Sequence, residues 1–165
     1  MIRRANYDDV LQVAEIHVSS WRTTYQGVFS DHFLQSLSVE NKVEQWRQNL
    51  AQADSFIYVA EAEGKIVGFI NGGKSRSKKL PFEAEIYAMY LLKEYQNKGI
   101  GRNLFAKAQE EFVGRSWQSM VVWVLEGNTS KHFYEKMGGI VIADDHQRLE
   151  GNEHRLIAYG WDQFN

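Results

Sequence analysis

The sequence of 165 residues contains no cysteine and a single proline, Pro81. Without cysteine, disulfides, thiolate metal ligands and a cysteine nucleophile are all excluded, and this composition fits a reducing cytosol. Apolar stretches such as 86–92 are far shorter than the ~18 residues that a membrane-spanning helix needs. The first residues also lack the apolar segment of a signal peptide. We therefore expect a cytoplasmic protein without a membrane segment.

An excess of positive charge is also absent, since 19 Lys and Arg residues stand against 21 Asp and Glu residues, for a net charge of −2. A protein that binds nucleic acid through its phosphates needs an excess of Lys and Arg on one face, so we expect no nucleic-acid partner. The five histidines lack H-E-x-x-H or a comparable ligand spacing, which predicts no metal site. Small molecules are therefore the expected ligands.

The sequence does contain alternating helical and extended patterns along its whole length, without a repeat or a linker, which predicts a single domain over 1–165. Apolar residues at helical spacing predict helices near 7–21, 39–51, 99–113 and 128–137. Apolar and β-branched runs predict a short first strand, a hairpin that turns at 63–65, strands at 83–92 and 120–125, and two final strands joined near 150–154. This order favours a mixed α/β sheet that is parallel where helices cross over.

Two glycine-containing segments could bind phosphate groups, and the first, Gly68–Ser75, literally matches the P-loop pattern G-x-x-x-x-G-K-S. A P-loop must leave a strand and begin a helix, because the helix amides bind the phosphates. Here Gly68 lies inside a predicted strand, and the residues after Lys74 show no apolar helical face and end at Pro81. The pattern favours a solvated basic loop, and a P-loop phosphotransferase is the less favoured alternative.

The second segment, Gln96–Gly101, lies between a predicted strand and a predicted helix. Glycines in this position let the backbone approach an anion, and the unpaired N–H groups of the first helical turn favour a pyrophosphate. Lys98 and Arg102 add positive charge nearby. The spacing alone leaves a second interpretation open, in which Gly99 and Gly101 only make a tight connection between the strand and the helix and bind no ligand.

At these residues the chain resembles the GCN5-related N-acetyltransferase (GNAT) family, whose acetyl-CoA site carries a Q/R-x-x-G-x-G/A turn after the fourth strand. QNKGIG matches that turn, 84–104 is similar to the strand, turn and helix of the site, and 128–139 is similar to a later helix of the family. The resemblance covers nearly the whole chain. It implies an α/β fold with a mixed, mostly antiparallel central sheet of six to seven strands, a parallel pair of fourth and fifth strands, and about four flanking helices.

The resemblance also implies acetyl-CoA as the cosubstrate and a set of residues that would bind it. The end of the fourth strand would contact the pantetheine arm and the thioester, the glycine turn would bind the pyrophosphate, and the later helix would lie beside the sulfur. The implied acetyl-CoA-binding residues are Tyr90, Leu91, Leu92, Gln96, Asn97, Lys98, Gly99, Ile100, Gly101, Arg102, Asn128 and Tyr134.

Acetyl transfer to an amine requires a base, because an alkyl ammonium has a pKa near ~10.4. Glu83 and Glu85 are the candidate carboxylates, and alternation along a strand places both on one face, together with Leu91. We prefer Glu85 because an apolar strand would disfavour its charged form and make it a better base. The competing interpretation is a solvent-facing edge with ordinary salt bridges.

The leaving thiolate requires a proton donor, and Tyr134 is the candidate, although a core aromatic beside Phe133 is the alternative. By the family resemblance, a strand amide near Leu91 would stabilise the developing oxyanion. Asn128 could assist the thiolate or merely cap a helix. Trp21 and Tyr25 could line an acceptor pocket, although a tryptophan that closes an amphipathic helix is more often a core residue.

We therefore expect an N-acetyltransferase that binds both substrates together and transfers acetyl directly to a primary amine of a small molecule or peptide, since no cysteine can form an acyl-enzyme. A non-catalytic acyl-CoA-binding module is the other alternative, because it needs the glycine turn but neither the carboxylate nor the phenol. A homodimer is possible, since the terminal strands offer edges for pairing. The acceptor-side region, about 21–51, carries no motif that identifies the amine.

Overall fold

Seven strands form one sheet in the computed structural model, which describes residues 1–164. The strands are β1 (Ile2–Arg4), β2 (Ser55–Ala62), β3 (Lys65–Lys74), β4 (Ala84–Leu91), β5 (Met120–Leu125), β6 (Ile140–Leu149) and β7 (Asn152–Trp161). The α-helices within the described range are α1 (Val10–Thr24), α2 (Asp31–Ser36), α3 (Val39–Leu50), α4 (Ile100–Gly114) and α5 (Lys131–Lys136). Short 3-10 turns precede α1 at Tyr7–Asp9 and follow β4 at Lys93–Tyr95.

Strand order in the sheet is β1-β2-β3-β4-β5-β7-β6, and every neighbouring pair is antiparallel except β4 and β5. The parallel pair needs a crossover connection, and α4 provides it. The predicted fold class is therefore confirmed. Both predicted hairpins are present as two-residue turns, with positive φ at Glu63 and Gly64 and at Glu150 and Gly151, as such turns require.

Apolar side chains cover both faces of the sheet. One core lies between the sheet and α4, where Leu104, Ala108 and Phe112 are buried at helical spacing. The second lies between the sheet and helices α1 and α3, and contains Val13 and Trp46. A smaller cluster joins the end of α1 and α2 to the end of β5. Nowhere in residues 1–164 is a helix both long and apolar enough to cross a bilayer.

The structure overturns the P-loop alternative at Gly68–Ser75. Residues 68–74 belong to β3, which is buried over 66–73 and paired on both sides, so they are not a solvated loop. The next regular element is β4 rather than a helix. Gly73 serves close packing, because a Cβ there would lie 2.4 Å from the Asp54 carbonyl oxygen.

Strand β4 contains one extra residue in the middle of its pairing with β3. Asn71 pairs with Ala88 and Gly72 pairs with Ile86, so Tyr87 has no partner and forms a β-bulge. Before the bulge, Ile86 faces the α4 core, whereas after it Met89 and Leu91 face that core. The bulge therefore reverses the alternation of side chains along β4.

Candidate active site

A cleft opens in the sheet where β4 and β5 diverge. The two strands pair over only three residues, Ala84–Ile86 with Met120–Val122, and separate beyond the bulge at Tyr87. Two cavities occupy this cleft, one of about 820 Å³ on the side of α4 and one of about 380 Å³ between α1 and β6. Met89, Tyr90, Asn128 and Ser130 line both of them. An open sheet edge is thus exposed between two adjoining cavities.

The backbone of β4 supplies hydrogen-bonding groups to this edge. The Leu92 N–H donates to the Val67 carbonyl on β3 (2.9 Å), whereas the Leu91 carbonyl accepts from the Gln96 side chain (3.0 Å). Successive residues of a strand direct their backbone groups to opposite edges. The Leu91 N–H therefore points away from β3, into the gap between the diverging strands.

The larger cavity continues to the beginning of α4. Asn97 and Gly99 both have positive φ (61° and 86°), and Gly99 is the N-cap of α4. A Cβ at Gly99 would have no atom within 4 Å, so this turn stays open to the cavity. The unpaired amides of the first turn, the helix dipole and the Arg102 side chain in the cavity wall together favour an anion here.

Most of the residues that the resemblance implies meet in the larger cavity. Its walls include Tyr90, Leu91, Leu92, Gln96, Asn97, Gly99, Gly101, Arg102 and Asn128. Lys98 and Ile100 do not line it; the Lys98 ammonium lies 5.5 Å from the centre of the Tyr95 ring. Tyr134 lines the smaller cavity instead.

Tyr134 is a buried residue of α5 whose side chain reaches the wall of the smaller cavity. Burial raises its pKa well above the usual tyrosine range, and the nearby Tyr25 adds to the increase. Among the residues described, none hydrogen-bonds the Tyr134 hydroxyl. The phenol thus keeps its proton at neutral pH and has that proton available for donation.

Trp21 and Tyr25 connect α1 to the cleft through hydrogen bonds. The Trp21 indole N–H donates to the Tyr90 hydroxyl (2.8 Å), and the Asn128 amide donates to the Tyr25 hydroxyl (3.1 Å). Asn128 also accepts from the Ser130 N–H (2.9 Å). Burial raises the pKa of both Tyr25 and Tyr90. Both Trp21 and Tyr25 line the smaller cavity, so the end of α1 contributes to the site as well as to the core.

Glu85 lies on the opposite face of β4 from the one predicted. Because Tyr87 is a bulge, Glu85 does not share a face with Leu91 and lies on the α1 side with Ala88 and Tyr90. Its carboxylate is buried and held by Arg76, through the backbone N–H (2.9 Å) and the guanidinium (2.7 Å). Glu85 therefore lies next to the smaller cavity but does not line it.

Glu83 has a different position from Glu85. It precedes β4, is exposed, and its carboxylate accepts from the Gln118 backbone N–H (2.9 Å). Glu83 therefore lies just outside β4, which begins at Ala84, and of the two carboxylates only that of Glu85 belongs to the strand.

Several residues of the smaller cavity were not among the predicted site residues. Asp145 and Gln147 line it from β6, and Arg76 and Tyr87 line it from the β3–β4 segment and the bulge. The alternation of β6 could have shown that Asp145 and Gln147 share a face. No local pattern places that face opposite α1, because β6 comes near the cleft only through the β5-β7-β6 strand order.

Comparisons with known proteins identify the family of this chain. The profile of the acetyltransferase (GNAT) family matches residues 12–139. The uncharacterized N-acetyltransferase YuaI of Bacillus subtilis is 34% identical over 161 residues, which is 97% of this chain and 91% of that protein. The spermidine N(1)-acetyltransferase of Thermoplasma acidophilum is 27% identical over 114 residues, 66% of this chain and 68% of that protein.

The fold is similar to solved structures as well. The PaiA N-acetyltransferase of Thermoplasma acidophilum, solved in complex with coenzyme A, superimposes with a TM-score of 0.73 at 24% identity, and the match covers 95% of this chain and 96% of that one. The chain therefore belongs to the GNAT acetyltransferase family, as the resemblance at Gln96–Gly101 suggested. The predicted enzyme class, an N-acetyltransferase, is confirmed.

Proposed function

We propose that the protein binds acetyl-CoA and a primary amine side by side in the cleft and transfers acetyl directly from one to the other. The observation that carries the proposal is the pair of adjoining cavities that share Met89, Tyr90, Asn128 and Ser130. The shared walls would bring a thioester in one cavity next to an amine in the other. Holding two reactants in this way removes most of the entropic cost of their encounter.

Acetyl-CoA suits the larger cavity by its chemistry. The open turn at Gly99, the amides of α4 and Arg102 suit a pyrophosphate. The exposed edge of β4 suits the amide groups of a pantetheine arm, which would pair with it as a further strand does. When bound, acetyl-CoA supplies the activated acetyl group. The known complex of PaiA with coenzyme A supports this assignment.

The residues of the chain then have three roles. The Leu91 N–H points into the cleft, where it would stabilise negative charge on the thioester oxygen. Tyr134 would donate its proton to the departing sulfur, because burial keeps the phenol protonated. Glu85 would accept the proton of the ammonium from the α1 side of β4. It is the buried carboxylate nearest to the smaller cavity, which we call the acceptor cavity because the amine would lie there.

The acceptor is proposed to be a primary amine of a small molecule or peptide that enters the smaller cavity. That cavity of about 380 Å³ is open enough for a flexible amine and is lined by Trp21, Tyr25 and Asp145 among others. Aromatic faces and a carboxylate both attract an alkyl ammonium. The activity named for the Thermoplasma relative, acetylation of spermidine, is consistent with such an acceptor.

The test is steady-state kinetics with acetyl-CoA and a panel of amines that includes polyamines, amino acids and short peptides. Direct transfer predicts intersecting double-reciprocal lines for the two substrates. Glu85→Gln is expected to lower kcat by about 10²-fold or more while acetyl-CoA still binds. A non-catalytic acyl-CoA module predicts binding of acetyl-CoA without turnover of any amine, and parallel lines would contradict direct transfer.

A further inference from the structure

Arg76 separates the acceptor cavity from Glu85. Its guanidinium lies 4.2 Å from the centre of the Tyr87 ring and, like Tyr87, lines the cavity, whereas Glu85 does not. The Arg76 side chain is 64% exposed and the Glu85 side chain only 3%. A molecule in the acceptor cavity therefore meets the arginine before it meets the carboxylate.

The two oxygens of Glu85 are held in different ways. Oε1 accepts from the Arg76 backbone N–H at 2.9 Å, a contact that is fixed by the chain. Oε2 accepts from the Arg76 guanidinium at 2.7 Å, a contact at the end of a long and exposed side chain. The second contact can open without any change in the backbone, whereas the first cannot.

A buried carboxylate needs a cation, because removing its partner leaves an uncompensated charge. An ammonium ion on the acceptor has the same charge as the guanidinium. If the ammonium replaces the guanidinium at Oε2, the carboxylate stays paired throughout, and the backbone N–H keeps its position at Oε1. The stacking surface of Tyr87 and open solvent remain available to the displaced guanidinium.

From this geometry we infer that Arg76 is a positioning residue that pairs with the buried Glu85 carboxylate in the free enzyme and yields Oε2 to the ammonium group of the acceptor. The inference rests on the proposed function, in which Glu85 is the base. Once the ammonium reaches Oε2, one N–H bond breaks and an O–H bond forms on Glu85. The neutral amine then carries the electron pair that attacks the thioester carbon.

Other charged groups near Glu85 do not take over the role of Arg76. Tyr87 is adjacent on β4, and burial, with the Glu85 charge as the second cause, raises its pKa to about 12. Asp54 and Arg115 act on Tyr87 from the segments that precede β2 and follow α4, and they act on it more weakly than Arg76 does. Arg76 is thus the cation in direct contact with the carboxylate.

The test is the pH profile of kcat/KM for the amine, which reports the essential base of the free enzyme. Arg76→Gln removes the charge but keeps the backbone contact, so the acidic limb should move to higher pH, because a carboxylate without its cation is harder to ionise. Above that limb, the KM for the amine should fall about two- to fivefold, the size of a competing half-exposed ion pair. Arg76→Lys keeps a cation and should leave the acidic limb in place.

The matched control is Lys79→Gln, which removes the same charge from the same exposed segment. It should change neither the acidic limb of the pH profile nor the KM for the amine. If Arg76 acts through Glu85, adding Arg76→Gln to Glu85→Gln should have no further effect on the profile. A purely structural role predicts a lower melting temperature with an unmoved limb, which would overturn the inference, as would an unchanged amine KM. If Arg76→Gln does not fold, Arg76→Lys provides the test. An acidic limb that moves in Arg76→Lys would then overturn the inference. A wild-type enzyme that acetylates no amine would contradict the proposed function itself.

Discussion

Tyr134 shows how one buried side chain can be suited to a chemical step. The residue as a whole is buried, yet its hydroxyl makes no hydrogen bond within residues 1–164 and lies at the wall of the acceptor cavity. The sequence predicted Tyr134 only through the family resemblance, because the adjacent Phe133 is also an aromatic residue and either could belong to the core. What distinguishes the two is orientation: Tyr134 lines the smaller cavity and Phe133 lines the larger one.

Tyr134→Phe is expected to lower kcat by about 10²-fold, because it removes the proton donor for the thiolate. The KM for acetyl-CoA and the melting temperature should change little, because the hydroxyl makes no hydrogen bond within residues 1–164. The measurement is steady-state kinetics together with a thermal melt. Tyr159→Phe is the control, since Tyr159 is also buried but bonds Glu135 (3.2 Å) away from both cavities. Equal activity of Tyr134→Phe and wild type would refute the assignment of the acid.

At the scale of the elements, long periodic segments were predictable and interruptions were not. Helix α4 and both hairpins follow from apolar spacing and turn residues, and their predicted positions agree with the structure to within about three residues. Helix α2 was missed, because six residues with one buried leucine show no helical period. The bulge at Tyr87 was missed as well, and it explains why the predicted face of Glu85 is wrong.

Gly73 provides a test of whether residues 68–74 form a buried strand or an open P-loop. Gly73→Ala should destabilise the protein by about 1–3 kcal/mol or more, because its Cβ would lie 2.4 Å from the Asp54 carbonyl oxygen and 2.8 Å from the Ser55 Cα. Gly114→Ala, at the end of α4 with no atom within 4 Å of the new Cβ, should stabilise it by about 0.5–1 kcal/mol. Urea unfolding measures both changes. A Gly73→Ala variant as stable as wild type would argue for an open loop.

The beginning of α4 provides a second test. Arg102→Gln should raise the KM for acetyl-CoA by about three- to tenfold, because it removes a charge from the wall of the anion-binding turn. The effect should shrink at high salt, since the side chain is exposed. Lys107→Gln is the control on the same helix, where the ammonium pairs with Glu110 (3.5 Å) outside the cleft. Equal changes in the two variants would mean that only the overall charge matters.

At the scale of the whole molecule, the interface between α1, α3 and the sheet makes folding sensitive to pH. Burial lowers the pKa of His17 to about 4, its Nδ1 accepts from the Trp46 indole N–H (3.2 Å), and its ring stacks on Tyr90 (5.4 Å). Between pH 6.5 and about 4, His17 binds a proton in the unfolded chain but stays neutral in the folded chain. Stability is therefore fully present above pH 6.5 and falls as the pH decreases towards 4, by up to about 3 kcal/mol.

His17→Gln should remove most of this loss, because glutamine can accept the Trp46 hydrogen bond without titrating. The measurement is the free energy of unfolding in urea at several pH values between 4 and 7. His32→Gln, at an exposed position on α2, should keep the wild-type dependence. If His17→Gln keeps the wild-type dependence as well, another group causes the acid sensitivity.

The cleft itself is a property of the whole molecule. Sequence patterns predicted the glycine turn and the strand before it, but the acceptor cavity is assembled from α1, the β3–β4 segment, β4, β5, α5 and β6. No stretch of sequence contains that convergence, so Asp145 and Gln147 had no signal that pointed to a site. Trp21 and Tyr25 were predicted as candidates, and the structure brings both to the cavity wall.

The central claim is that this cleft holds acetyl-CoA, and a thermal-shift comparison of the protein alone, with acetyl-CoA, and with ATP plus magnesium tests it most directly. Acetyl-CoA at ~100 times its dissociation constant should add about 2.7 kcal/mol of stability, and Arg102→Gln should reduce the shift at the same concentration. ATP with magnesium should leave the melting temperature unchanged, because 68–74 form a strand. A shift with ATP and magnesium but none with acetyl-CoA would contradict the account.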